Sequence, residues 1–258
     1  MKKIWVTALE HDEKQVQVVL GTIRNYGMDC GGHFWTDDPK NMSWLEPKDT
    51  LVDKETALWV LTGSQKNLEK DSVRFGLALL ALTVQAKKGY GFPILFVDTE
   101  GDVNSDGLPT PLKGVDLISI GSASLGAKMV AKVNTPVKKI DTEYRIDIHA
   151  NRSFGLWFEV GPYLDKVWHG ALLGVYGGGI DFHGVGEAGK LPQKAVLEYP
   201  MKGLKLQLGE REYEAWAVQN NLDENHSYYV RVKDMPGSII FGPYTAEEEA
   251  EVNIIDLY

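Results

Sequence analysis

Residues 57–97, which read ALWVLT GSQKNLEK DSVRFGLALLALTVQAKK GYG FPILFV, contain the clearest structural unit of this chain. The apolar runs 57–62 and 92–97 have the length and composition of buried strands. Between them, residues 71–88 predict a helix, with Asp71 or Ser72 as its N-cap and Lys87, Lys88 and Gly89 at its end. Because parallel strands need a crossover of about this length, the stretch predicts a β-α-β unit.

The same alternation of apolar runs and helical stretches extends to both sides of this unit. We therefore predict a doubly wound α/β domain over residues 1–140, with a parallel five-stranded sheet of strand order 2-1-3-4-5. Its predicted strands are 4–9, 28–35, 57–62, 92–97 and 115–120, and its predicted helices are 13–26, 71–88 and 122–133.

After about residue 140 the pattern changes to short alternating stretches separated by Gly and Pro. This pattern predicts a second, all-β domain over residues 141–258, folded as a sandwich or an open barrel. Its predicted strands are 143–149, 154–160, 171–176, 195–199, 203–208, 213–218, 228–233, 238–241 and 251–257, with a short helical turn at 163–168. We interpret the glycines at 177–179 as a tight turn or a bulge and residues 184–190 as a flexible hairpin loop.

The distribution of charge argues against nucleic acid as a partner. The net charge of −9 comes from residues 141–258, which carry 10 Lys and Arg against 19 Asp and Glu, whereas residues 1–140 carry 17 of each. Such an acidic surface repels phosphate backbones, so we expect no nucleic-acid partner. Part of this charge lies at 247–249 and Glu251, where we predict a solvated turn or short helix.

The chain also lacks the signals of export and of membrane insertion. Its first residues predict a strand rather than a signal peptide, and no apolar run approaches the ~20 residues of a membrane span. A single cysteine, Cys30, cannot form an intramolecular disulfide, so we expect the protein in a reducing cytoplasm. We expect the Cys30 side chain to be a small core residue.

In an open parallel sheet, ligands bind beyond the carboxyl ends of the strands at the point where strand order reverses. Here that point lies between the first and third strands. We expect a binding crevice between two loops and the start of the 71–88 helix, whose free N–H groups suit an anion or a ribose hydroxyl. The candidate binding residues are Glu10, His11, Asp12, Ser64, Gln65, Asp71 and Ser72. Helix capping is an equally good explanation of the same residues.

In residues 1–133 an acidic loop follows the first strand, a turn lies at Gly27, and Leu61-Thr62-Gly63-Ser64 leads into a polar loop and an apolar helix. In these features the segment resembles a Toll/interleukin receptor (TIR) domain. In the members of that family that cleave NAD, a Glu on this helix is the catalytic carboxylate. With Ser64 aligned to the first Ser of the family's loop pattern, Gly76 falls at the position of that Glu. Nucleoside deoxyribosyltransferases are similar at the level of the strands.

The resemblance implies a cytoplasmic protein of bacterial type that works by binding or assembly, with a protein partner or a second copy of itself. Because Gly76 has no carboxylate, we expect no catalysis at that position. One alternative is a glycohydrolase or transferase acting on NAD or a nucleoside, in which Glu10, Asp12 or Asp71 supplies the carboxylate. Another is carbohydrate or peptide binding by the β domain. No cofactor is indicated beyond NAD or a nucleotide as a ligand.

Three further patterns in the β domain carry little chemistry. Residues 184–190 match G-x-x-x-x-G-K, but Leu191 and Pro192 follow where a phosphate-binding loop needs Ser or Thr and a helix. Asp181 and His183 would share one face of a strand, and the possible third metal ligands are His149, His169 and His226. Spacing alone does not bring these residues together, so we predict no metal site. Trp157, Trp168 and Trp216 are expected mainly in the core, with room for one functional aromatic.

Overall fold

The computed structural model describes residues 2–244 and 251–258. The chain divides into two compact units, Met1–Ile140 and Asp141–Tyr258. The acidic run at 247–249 lies outside the described residues. No helix in the described part of the chain has both the length and the hydropathy that a membrane crossing requires.

The N-terminal unit has the predicted doubly wound α/β architecture. Its five strands are all parallel, in the order β2-β1-β3-β4-β5, which confirms the predicted sheet. The strands are β1 Lys3–Ala8, β2 Asp29–Phe34, β3 Thr56–Gly63, β4 Ile94–Asp98 and β5 Asp116–Ser119. The α-helices are α1 Glu13–Asn25, α2 Lys48–Val52, α3 Gln65–Leu68, α4 Asp71–Lys88 and α5 Leu125–Asn134, with short 3-10 turns at Pro39–Asn41, Ser43–Leu45, Ser105–Gly107 and Thr110–Leu112.

Apolar side chains on both faces of this sheet explain why helices cover it. One face packs against α1 and α5 through a cluster that includes Val6, Val60 and Val97. Helix α4 is buried at every position from Val73 to Val84 except Arg74, as its all-round apolar sequence predicts.

Two local details of the N-terminal unit differ from the sequence prediction. The N-cap of α4 is Lys70, without a side-chain hydrogen bond, and Asp71 is the first helical residue, so the prediction of Asp71 or Ser72 as the cap was wrong. The loop before α4 contains the short helix α3, which begins at a capping box formed by Ser64 and Asn67.

The C-terminal unit consists of two antiparallel sheets. One has the order β10-β11-β8-β13-β14 and the other β6-β7-β12-β9. Rings from the two sheets meet, since Tyr144 lies 4.9 Å from Phe241 and His183 lies 4.8 Å from Trp216. The unit is therefore a sandwich. Its strands are β6 Tyr144–Asn151, β7 Gly155–Pro162, β8 Trp168–Tyr176, β9 Gly179–Glu187, β10 Met201–Leu208, β11 Arg211–Leu222, β12 His226–Lys233, β13 Ser238–Pro243 and β14 Asn253–Asp256.

The main errors of the strand prediction lie between residues 163 and 199. The stretch 163–168 is not helical, since β8 begins at Trp168, and residues 195–199 form no strand. The glycine-rich stretch expected to be a loop is instead largely strand β9. A Cβ at Gly186 would lie 2.9 Å from Pro192 Cβ, so the missing side chain lets the following segment lie against the strand.

Candidate functional site

The carboxyl ends of β1 and β3 lie side by side, as the strand order requires. The backbone N–H of Leu9 donates to the Thr62 carbonyl oxygen at 2.8 Å, which places the loop after β1 beside the loop after β3. The predicted crevice residues therefore lie along one edge of the sheet, and the contacts of each side chain decide what that edge can do.

The loop after β1 has one exposed carboxylate and one that caps a helix. Asp12 is the N-cap of α1, where its Oδ1 accepts from the N–H groups of Lys14 at 2.9 Å and Gln15 at 3.1 Å. The His11 ring stacks on Phe34 with a centroid separation of 3.9 Å. Glu10 is exposed to solvent. Of these three side chains, Glu10 is the one with no structural task among the described residues.

The loop after β3 is bound to the loop after β4. Asn67 Oδ1 accepts from the Ser64 N–H at 2.9 Å, and Ser64 itself is buried. The Gln65 N–H donates to Asp102 Oδ1 at 3.0 Å, and Gln65 Oε1 accepts from the Asn104 N–H at 3.0 Å. The polar groups of Ser64 and Gln65 that take part in these hydrogen bonds are thus already paired within the protein.

The loop after β4 is ordered by a buried carboxylate that the sequence analysis missed. Asp98 accepts from the backbone N–H groups of Glu100, Gly101 and Val103 at 3.1, 2.7 and 2.9 Å. A carboxylate with three N–H donors has its charge compensated, which is why it can be buried at the end of a strand. The signal in the sequence is an Asp that ends an apolar strand and is followed by Gly101.

The start of α4 is also engaged locally. Asp71 pairs with Arg74 one turn further along the helix, and the Ser72 hydroxyl donates to Asp37 Oδ2 at 3.0 Å. Asp71 and Asp12, two of the three proposed catalytic carboxylates, therefore stabilise helix ends in this structure. The structure brings Ser72 together with Asp37 rather than with Ser64 or Gln65.

At Gly76 the structure leaves no room for a side chain. A Cβ at this position would lie 2.7 Å from Trp35 Cζ2, which is shorter than a normal carbon–carbon contact, and 3.2 Å from Trp44 Cβ, which is a tight contact. Trp35 Nε1 is buried without a hydrogen-bond acceptor among the described residues. The position that the resemblance assigns to a catalytic Glu is therefore filled by the indole of Trp35.

In the C-terminal unit, the suggested pair of Asp181 and His183 does not share one face. A register shift at this point of the β9 and β12 pairing turns Asp181 to Arg231, whose Nε lies 2.7 Å from Asp181 Oδ1. His183 points into the sandwich, where its Nδ1 lies 2.8 Å from the Tyr228 hydroxyl. Burial, together with the charge of Lys202, lowers the pKa of His183 to about 4.

A polar cluster lies instead on the outer face of strands β6, β7 and β12. His149 Nε2 is 2.6 Å from Glu159 Oε2, and the Ser227 hydroxyl and the Gly189 N–H each donate to Glu159 Oε1 at 2.7 Å. Burial raises the pKa of Glu159, but the hydrogen bonds from His149, Ser227 and Gly189 outweigh it, and the pKa lies below its usual range. The buried Glu159 is thus held as an anion.

No family model and no curated protein sequence matches this chain. The TIR-like interpretation therefore depends on the residue pattern at the sheet edge together with the strand order of the sheet.

The three tryptophans of the C-terminal unit are all buried, with exposed fractions of 7% for Trp157, 7% for Trp168 and 8% for Trp216. Four Phe and Tyr side chains of the described part of this unit are exposed, namely Phe154, Phe182, Tyr176 and Tyr199. Phe154 is 60% exposed and Phe182 is 41% exposed, and both contact Trp157, through the Phe154 carbonyl and the Phe182 ring. Arg231 lies 5.4 Å from the Trp157 ring and 5.7 Å from the Phe182 ring.

Proposed function

We propose that the N-terminal unit is a TIR-like module that works by binding or self-association and does not cleave NAD. The observation that carries this proposal is the packing of Trp35 and Trp44 against Gly76, because it removes the space that a catalytic carboxylate would need. The contacts of two other carboxylates support it, because Asp12 caps α1 and Asp71 pairs with Arg74. A carboxylate engaged in this way is poorly placed to stabilise an oxocarbenium ion.

The free side of β2 offers a surface for self-association. In the described sheet β2 is an edge strand with β1 as its neighbour, so its outer main-chain groups can pair with another strand. Beside it lies a groove of about 400 Å³ lined by Val16, Leu20, His33 and Phe34, together with Glu13, Gln17 and Gly32. A second copy of this chain could add a strand to this edge and bury the groove.

Light scattering after size exclusion tests self-association. The wild-type chain should have a mass above that of a monomer at high concentration. Val16→Glu should shift it towards the monomer, because the groove would gain a charge that burial leaves unpaired. Val196→Glu, at a position 61% exposed in the other unit, is the matched control and should leave the mass unchanged. A strict monomer at high concentration with no response to ligands would count against the proposal.

The enzyme alternative is tested by incubation with NAD and with nucleosides, followed by chromatography. We expect no turnover. Sustained turnover that Glu10→Gln or Asp71→Asn abolishes would replace the proposal by a glycohydrolase or transferase. Glu10 is the first candidate because it is exposed, whereas Asp71 is exposed but pairs with Arg74.

A second candidate function belongs to the C-terminal unit. The exposed rings of Phe154 and Phe182, with Arg231 beside the latter, form a surface that can stack on a sugar or on a peptide side chain. Glycan and peptide array binding that is lost in Phe182→Ala, with the fold intact by circular dichroism, would support it. Equal binding by wild type and variant would exclude this surface.

A further inference from the structure

The register of strands β6 and β7 brings three ligand-type side chains to one place. Asp147 and His149 are two residues apart on β6 and therefore project from the same face, and Glu159 of β7 lies directly opposite Asp147. One ligand atom from each of the three lies within 4.8 Å of the others. The set contains one imidazole nitrogen and two carboxylate oxygens.

We propose that Asp147, His149 and Glu159 form a binding site for a divalent transition-metal ion of the Zn²⁺ type. Imidazole and carboxylate are ligands that such ions prefer. Around an ion with bonds of about 2.1 Å, tetrahedral ligand atoms lie about 3.4 Å apart. The His149 Nε2 to Glu159 Oε2 separation of 2.6 Å must therefore open by about 0.8 Å when an ion binds.

Glu159 is oriented for this role by contacts on its far oxygen. Ser227 and Gly189 both donate to Oε1, which leaves Oε2 directed towards His149. Hydrogen bonds of this kind hold a metal-ligating carboxylate in one orientation and are a regular part of metal sites.

Burial and access also suit a bound ion. The exposed fraction is 8% for Asp147 and 2% for Glu159, so an ion here would be shielded from competing water. The His149 side chain is 19% exposed, which leaves a route of entry from solvent on its side. Three protein ligands leave one position open for a water molecule or for a ligand of the protein, as in zinc sites that bind substrates.

The competing explanation is a hydrogen-bonded His149 and Glu159 pair with no metal. The two explanations differ in a direct measurement on the full-length chain. After dialysis against a chelator, the protein is titrated with Co²⁺ by visible absorption and with Zn²⁺ by calorimetry. We expect one ion per chain, absorption bands of protein-bound Co²⁺, and loss of these bands when Zn²⁺ is added.

Variants locate the site. Asp147→Asn keeps the shape of the side chain and should weaken Zn²⁺ binding at least about tenfold, as should His149→Ala. The matched control is His226→Ala, because His226 pairs with the single carboxylate of Asp223 at 2.8 Å and should not change the affinity. Circular dichroism checks that each variant is folded.

Absence of Zn²⁺ and Co²⁺ binding to the wild-type chain would overturn the proposal without any variant. Binding that His226→Ala abolishes, or that Asp147→Asn and His149→Ala leave unchanged, would overturn it as well. The measurement is independent of the function proposed for the N-terminal unit, since neither outcome depends on NAD or on self-association.

Discussion

Substitution of Gly76 by Ala tests whether this helix position has room for a side chain. The added Cβ would lie 2.7 Å from Trp35 Cζ2, 3.2 Å from Trp35 Cη2 and 3.2 Å from Trp44 Cβ. Trp44 is buried and its Cβ is attached directly to the backbone, so the side chain cannot rotate this atom away. Either the Trp35 ring or the helix itself must shift.

The expected magnitude follows from two opposing effects. Gly to Ala in a helix interior raises the free energy of unfolding by about 1 kcal/mol. Overpacking lowers it by about 1–3 kcal/mol. We therefore expect Gly76→Ala to leave stability unchanged at best and to reduce it by up to about 2 kcal/mol.

A matched glycine separates the two effects. Gly21 lies inside α1, and a Cβ added there would have no heavy atom within 4 Å, so Gly21→Ala should show the gain of about 1 kcal/mol alone. The difference between the two variants, about 1–3 kcal/mol, then measures overpacking. In a Trp35→Ala background, Gly76→Ala should lose most of its cost, as a double-mutant cycle would show.

The assay is urea unfolding followed by circular dichroism and tryptophan fluorescence. If Gly76→Ala stabilises the native protein as much as Gly21→Ala does, Trp35 does not fill this position and the steric argument against a side chain there is wrong. As a functional counterpart, Gly76→Glu should be destabilised and should show no NAD cleavage by chromatography. Activity in this variant would contradict the proposal that the edge has no room for catalysis.

Three further outcomes follow from other buried groups. The pKa of His183 is about 4 in the folded protein and about 6.5 in the unfolded chain, so the unfolded chain binds more protons between these two pH values. The free energy of unfolding should therefore fall by up to about 3 kcal/mol from pH 6.5 to pH 4, as measured by urea titrations. His183→Gln should reduce this fall, and an unchanged pH dependence would contradict the assignment. Asp98→Ala leaves three backbone N–H groups without their acceptor and should cost about 1–3 kcal/mol, with faster amide exchange at Gly101; unchanged exchange there would show that Asp98 does not order the loop. Gly126→Ala would place a Cβ 2.1 Å from Tyr26 Cε2, but Tyr26 is 50% exposed and its ring can move into solvent. The loss of stability should therefore be smaller than for Gly76→Ala. An equal or larger loss would show that the Tyr26 ring cannot move away.

Helix α4 shows what a sequence pattern can predict. The predicted range 71–88 is the observed range, because the apolar residues, the two lysines and Gly89 are all local signals of a helix and its end. Strand β9 shows the limit. Its glycines carry no hydrophobic pattern. Gly184 and Gly186 lie against Pro192, a contact that no local rule reveals.

The candidate sites divide in the same way. The sequence placed Glu10, Asp12, Ser64, Gln65 and Asp71 at one sheet edge, because carboxyl ends of parallel strands meet there whatever their side chains do. It did not predict that Asp71 would pair with Arg74, that Gln65 would bind the Asp102 loop, or that Gly76 would lie against Trp35. These contacts depend on how the folded chain packs, and not on the local sequence.

The sequence by itself determined the two kinds of architecture, since periodicity and connection length are properties of neighbouring residues. The order of the parallel strands was predicted from the topology of doubly wound sheets and not from a local signal. The tertiary structure alone decided which polar side chains meet. His149 was recognisable as a possible ligand in the sequence, but Glu159 becomes its neighbour only through the register of β6 and β7. Cross-strand register depends on how two sheets bury their apolar faces together, and that is a property of the whole unit rather than of any segment.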